Sequence, residues 1–154
     1  MRHRHNVELL ARGELEAVTA SQALAGRLVT EAEKHLAAAG QIAARDEAGA
    51  YQLAYDAARK ACAALLARQG LRAATRGGHI TVLDTVEAQF GGKGDMAAFG
   101  SVSRTRRKRA ASEYPDTGTP TTTTEKARKA IETANGILAA VKGLLASGNI
   151  GSFR

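Results

Sequence analysis

From Ala50 to Leu66 the only polar side chains are Gln52, Asp56, Arg59, Lys60 and the tyrosine hydroxyls. At the helical step of roughly 100° per residue, Gln52, Asp56 and Arg59/Lys60 fall on one narrow strip. The rest of the circumference is apolar and mostly alanine. A helix apolar almost all round has to be covered by other elements. Asp46 is a good N-cap and Gly70 a good stop, so this helix opens after Asp46 and runs to about Gln69. The pattern predicts a helical bundle with this segment as its central helix, packed closely through small side chains.

The flanking sequence supplies the covering elements. Residues 7–16 form a short helical candidate with Val7, Leu10 and Leu15 apolar and Gly13 weakening its middle. Thr19 and Gln22 read as a capping box for a helix running to about Arg45, with Leu24, Leu28, Ala32, His35, Ala39 and Ile42 along one stripe. Leu71 to Gly78 links the central helix to another from about His79 to Phe90, whose stripe is Ile80, Leu83, Val86 and Phe90. Gly91 to Gly94 breaks that helix. A basic helix follows from about Asp95 to Ser112 and is ended by Pro115. Residues 115–124 form a polar loop. Thr122 and Glu125 read as a second capping box, opening a last helix to about Ala146 with Ala127, Ile131, Ala134, Leu138, Val141 and Leu145 on one face. Residues 1–6 and 147–154 are expected to be flexible. No segment reads as a strand and there is no repeat, so the expectation is one all-α domain over 1–154.

Charge narrows the function. The 154 residues include 22 Lys and Arg against 15 Asp and Glu, a net charge of +7. That balance favours polyanionic partners. The one cysteine excludes an internal disulfide framework and fits a reducing cytosol. The basic N-terminus has no apolar segment behind it, so it is not a secretory signal, and no run is long enough for a membrane span. A cytoplasmic protein is expected.

The positive charge concentrates at Arg104, Arg106, Arg107, Lys108 and Arg109, followed by Glu113 and Tyr114. The apolar stripe of this helix, Met96, Phe99 and Ser103, continues at the i+3/i+4 step through Arg106, Ala110 and Glu113. Arginine at such a position needs an anionic partner. Phosphate contact through the arginines, with a base stacked on Tyr114, is one reading. The other is a charged helix terminus in which Glu113 pairs with Arg109 or Arg106. Elsewhere Gly91 to Gly94 lacks the spacing of a nucleotide loop, and no metal site is expected. His35 reads as a satisfied core or interface histidine. His79 follows two glycines at a helix start, and either braces that turn or faces an anion. Arg68, Arg72 and Arg76 recur every four residues, as an extended basic surface or a solvated helix end.

Three segments together resemble the HEPN superfamily: Ala50 to Ala61 with Gln69-Gly-Leu-Arg72, then Gly77-Gly78-His79, then the basic helix running into Glu113-Tyr114-Pro115. The resemblance extends from about Leu9 to Leu145. It implies an antiparallel four-helix bundle with one or two additional short helices, usually a homodimer, here formed through the helix bearing Arg104 to Tyr114. It also implies a toxin–antitoxin or defence setting, with a nucleotidyltransferase-type partner and no cofactor. In ribonuclease members an arginine and a histidine spaced four to six residues apart cut RNA without metal. Arg109 matches that arginine, Ala110 stands where a polar residue often follows, and Tyr114 stands where the histidine would be. Tyrosine titrates near about 10, so Tyr114 is a poor general base at neutral pH. The leading expectation is therefore an RNA- or nucleotide-binding protein engaging phosphates through Arg104, Arg106, Arg107, Arg109 and His79. A metal-independent endoribonuclease using Arg109 and Tyr114 is the alternative, and a dimeric adaptor for a partner protein the third reading.

Overall fold

A computed structural model of the chain describes residues 8–74, 82, 85, 86, 89, 121–148 and 150. Three long helices dominate it: α1 (Gln22–Ile42), α2 (Glu47–Gln69) and α3 (Thr124–Ser147). Two short strands, β1 (Leu15–Ala17) and β2 (Leu71–Ala73), pair antiparallel. The fold class is all-α, as the periodicity predicts.

α2 begins and ends where its sequence says. The Asp46 carboxylate accepts from the Gly49 N–H at 2.9 Å, and Gly70 adopts φ 82° to close the C-terminus. Its apolar circumference is buried from Ala50 to Leu66 except at the partly buried Leu53 and Ala63, and Gln52, Asp56, Arg59 and Lys60 remain half-exposed. α1 and α3 start later than predicted. Ser21 caps α1, accepting from Leu24 N–H at 3.0 Å, and Thr123 caps α3, accepting from Lys126 N–H at 3.2 Å. Each lies within a Ser/Thr-rich stretch in which several hydroxyls suit the N-cap. α1 also ends at Ile42 rather than Arg45. Its buried face keeps Ala32 and Ala39 of the predicted stripe but takes Ala25, Val29 and Leu36 in place of Leu24, Leu28 and His35, leaving Leu24 45% exposed. On α3 the core residues are Ala127, Ala134, Ile137, Leu138, Val141 and Leu144, with Ile131 and Leu145 partly buried beside them.

The N-terminal segment departs most from expectation. The helix predicted over 7–16 is shortened to a single α-helical turn at 8–11; the chain then reverses at Gly13, with φ 71°, and enters β1. Leu15 pairs with Ala73, Glu16 with Arg72 and Ala17 with Leu71. The ladder is prolonged by Val18 N–H to Gly70 carbonyl at 2.9 Å and Ala74 N–H to Glu14 carbonyl at 3.0 Å. A Cβ on Gly70 would lie 2.9 Å from the Val18 carbonyl oxygen, so this position needs glycine both for its φ and for the approaching backbone. The sheet also bears on Arg68, Arg72 and Arg76, read as an extended basic surface or a solvated helix end. Arg72 sits on a strand, and its guanidinium holds Glu16, with Nε 3.1 Å from Oε2. Arg76 lies outside the described residues.

α1 runs antiparallel to both other long helices. Ala39 and Ala43 at its C-terminal end cluster with Ala50 of α2 and Ala127 of α3, and Thr124 Oγ1 donates to Glu47 Oε1 at 3.4 Å. The N-termini of α2 and α3 therefore lie together and these two helices run parallel. This is the relation of the second and fourth helices in an up-down bundle. Val82, Thr85, Val86 and Gln89 are helical and buried, with Val82 and Val86 joining the main core. Of the stripe predicted for that helix, Val86 is buried, while Ile80, Leu83 and Phe90 lie outside the described residues. Ile150 is 5% exposed, so the C-terminal tail predicted to be flexible returns at least one side chain to the core.

Candidate functional site

The half-exposed strip of α2 meets α1 at a polar junction. Lys60 Nζ lies 2.8 Å from Nε2 of His35 and 3.2 Å from Oε2 of Glu31. Arg27 closes the other side of Glu31, with Nε 3.4 Å from Oε1. Glu31 and His35 stand one turn apart on α1 and face the same way, so a single ammonium reaches both. An ammonium has no acceptor, so Lys60 donates to an unprotonated Nε2 of His35. The hydrogen bond from Lys60, then its charge, lowers the Glu31 pKa from the usual 4.5. His35 is thus a satisfied interface histidine, as its place on α1 suggests. The periodicity of either helix alone gave no sign that Lys60 would be its partner.

One turn before Lys60 on the strip, Asp56 Oδ1 lies 3.7 Å from Arg59 Nε. Across Arg27, Arg59 and Lys60 against Glu31 and Asp56, the cations exceed the anions by one. The junction is largely self-neutralised and holds α1 against α2 more than it invites a polyanion. Buried groups nearby are inert. Cys62 is fully buried and its thiol pKa is pushed up to about 12, so it is a small core hydrophobe and no nucleophile. Burial raises Tyr51 to about 12 as well. A second polar contact lies deeper, where Gln69 Nε2 donates to Gln89 Oε1 at 2.7 Å. No group of three or more His, Cys, Asp or Glu is placed to hold a metal among the described residues, and no helix among them is long and apolar enough to cross a membrane.

The residues singled out for phosphate binding and catalysis, Arg104, Arg106, Arg107, Arg109, Tyr114 and His79, all lie outside the described residues. Exposed cations do occur at the start of α3, where Lys126, Arg128 and Lys129 face solvent. Cations oppose the helix dipole at an N-terminus. Their presence there was missed in the sequence because the capping box and apolar stripe explained the segment without them.

Residues 25–144 match the HEPN domain family model. The match takes in α1, α2 and α3 almost entire, together with the cationic run between them. The chain belongs to the HEPN domain family. Neither curated proteins nor solved structures give a significant match. The described HEPN framework is accordingly α1 to α3, while the β1 strand lies ahead of the matched residues and is added to their end of the bundle.

Proposed function

We propose that this HEPN protein binds RNA or nucleotides through its phosphates, with the cationic run 104–109 as the principal contact. The observation that carries the reading is the concentration of positive charge in two places: five cations among six residues at 104–109, and Lys126, Arg128 and Lys129 exposed at the start of α3. The second set does nothing for helix stability, since it opposes a dipole. A polyanionic partner accounts for both. Arg106 and Arg109 offer planar forks to phosphate oxygens, Tyr114 offers a stacking face, and His79 a further donor. Tyr114 in the histidine position favours binding over cleavage. The family resemblance supports a toxin–antitoxin or defence setting with a nucleotidyltransferase-type partner.

The test is RNA binding by fluorescence anisotropy across a salt series, with cleavage of total RNA followed in parallel with and without EDTA. Binding that weakens steeply with salt, falls about tenfold or more on Arg109→Ala, and leaves the RNA intact is expected. Chelator-resistant cleavage lost in Arg109→Ala would replace this reading with the endoribonuclease one. Absence of binding at low salt would leave the adaptor reading.

A further inference from the structure

At the C-terminal end of α2 the interior takes in three polar side chains. Gln69 is 7% exposed, Gln89 6% and Thr85 0%. Thr85 and Gln89 are helical and one turn apart, so they share a face. Gln89 on that face already meets Gln69, whose Nε2 donates to its Oε1 at 2.7 Å. The bond brings the Thr85 hydroxyl to the same side of α2 as the Gln69 amide. The surroundings are apolar: Val82 and Val86 of the same face and Leu65 and Leu66, one turn before Gln69, are all buried in the main core. Two polar atoms are left over. Gln69 Oε1 and Thr85 Oγ1 are shut off from solvent, and neither finds a hydrogen-bond partner among the described residues, so they do not bond each other.

We propose that one ordered water molecule is held here, bridging Thr85 Oγ1 to Gln69 Oε1. A hydroxyl can donate and accept, while an amide oxygen only accepts. Where such a donor and acceptor lie on one side of an apolar enclosure without bonding, a water completes both. It accepts from the hydroxyl and donates to the oxygen. Buried polar groups that lack a protein partner are ordinarily completed in this way, and leaving both bare costs more than a typical hydrogen bond returns. Whichever way the two amides turn, one bond between them leaves one arm of Gln69 over, and water serves either arm. The choice of residue points the same way. Valine has the shape of threonine and occupies the neighbouring positions 82 and 86, yet position 85, as fully buried as Val86, carries a hydroxyl. A bound water gives that hydroxyl a use. It ties Thr85, Gln69 and Gln89 into one network that fixes how this face is turned against the end of α2. The inference is independent of RNA binding.

A high-resolution crystal structure of the full chain and urea unfolding of Thr85→Val test it together. Density for one water within about 3.2 Å of both Thr85 Oγ1 and the Gln69 amide is expected. Thr85→Val keeps the shape of the side chain and removes one anchor of the water. Its folding equilibrium constant should fall about fivefold or more, with helicity by circular dichroism unchanged. In a dry site the same change would exchange a bare hydroxyl for a methyl and leave that constant unchanged or raised. Thr85→Ser keeps the hydroxyl, and its crystal structure should keep the water. No water density at this position, a direct Thr85–Gln69 hydrogen bond in its place, or a Thr85→Val protein as stable as the wild type would overturn the proposal.

Discussion

Lys60 shows how one side chain on a helix otherwise buried in alanine can do two jobs. Its stem lies over the α1–α2 contact and its ammonium answers both His35 and Glu31. Lys60→Met keeps the stem and removes the donor, and should lower unfolding free energy in urea by about 1 kcal/mol. The loss should largely vanish when His35→Leu is already present, as a double-mutant cycle would show. Acid should act through Glu31. Its folded pKa is lowered, so its contribution is present above the unfolded value of 4.5 and lost as pH falls through the folded one. Glu31→Gln should therefore flatten the stability profile below about pH 4.5. At the alkaline end the sign reverses. Cys62 and Tyr51 have raised folded pKa values of about 12, so their stabilisation is present below the unfolded values of 9.0 and 10.0 and lost as pH rises towards 12. In the folded protein Cys62 should not react with a thiol reagent until the chain unfolds.

At the scale of the element, caps and glycines decide where the chain turns. Ser21→Ala should cost about 1 kcal/mol by orphaning the Leu24 N–H. Gly70→Ala should cost more, about 2 kcal/mol, since the left-handed φ and the Val18 carbonyl both resist a Cβ. Gly40→Ala is the contrasting case. The site is open and its φ ordinary, so alanine should raise stability by about 0.5–1 kcal/mol. Thermal melts of the three variants side by side check all of this. The element scale is also where sequence reading was sharpest and where it slipped. α2 was legible because Asp46 and Gly70 were clear stop signals around a nearly uninterrupted apolar segment. The predicted α1 face held at Ala32 and Ala39 but was off by one residue at Leu24, Leu28 and His35, because alanine recurs on several sides of that helix. Two neighbouring stripes were then almost equally apolar, and only packing against the central helix α2 chose between them.

For the molecule as a whole, the β1–β2 pair binds the N-terminal segment to the end of α2. Leu15 is 2% exposed in the core although it precedes the residues matched by the HEPN family. Leu15→Ala should lower unfolding free energy by about 2–5 kcal/mol, as for an interior leucine. An outcome near zero in urea titration would show the strand to be dispensable. The distribution of charge is also a property of the whole. The α1–α2 junction nearly cancels its own charge, leaving the excess to the 104–109 run and the start of α3. These are the places at which added salt should weaken the proposed RNA binding.

The sequence by itself determined that the chain is helical, that α2 lies at its centre, and that its positive charge is clustered. These follow from local signals: periodicity, caps and composition. It also carried the HEPN resemblance, including the Tyr114 departure. Tertiary structure decided the rest. Leu-Glu-Ala and Leu-Arg-Ala contain no β-branched residue and have no strand preference of their own; they are strands because Gly70 and Gly13 bring their backbones together. The parallel relation of α2 and α3, the grip of Lys60 on Glu31 and His35, and the Glu33–Lys142 pair between α1 and α3 all join residues distant in the chain. Such contacts depend on how helix faces meet, which no local pattern encodes.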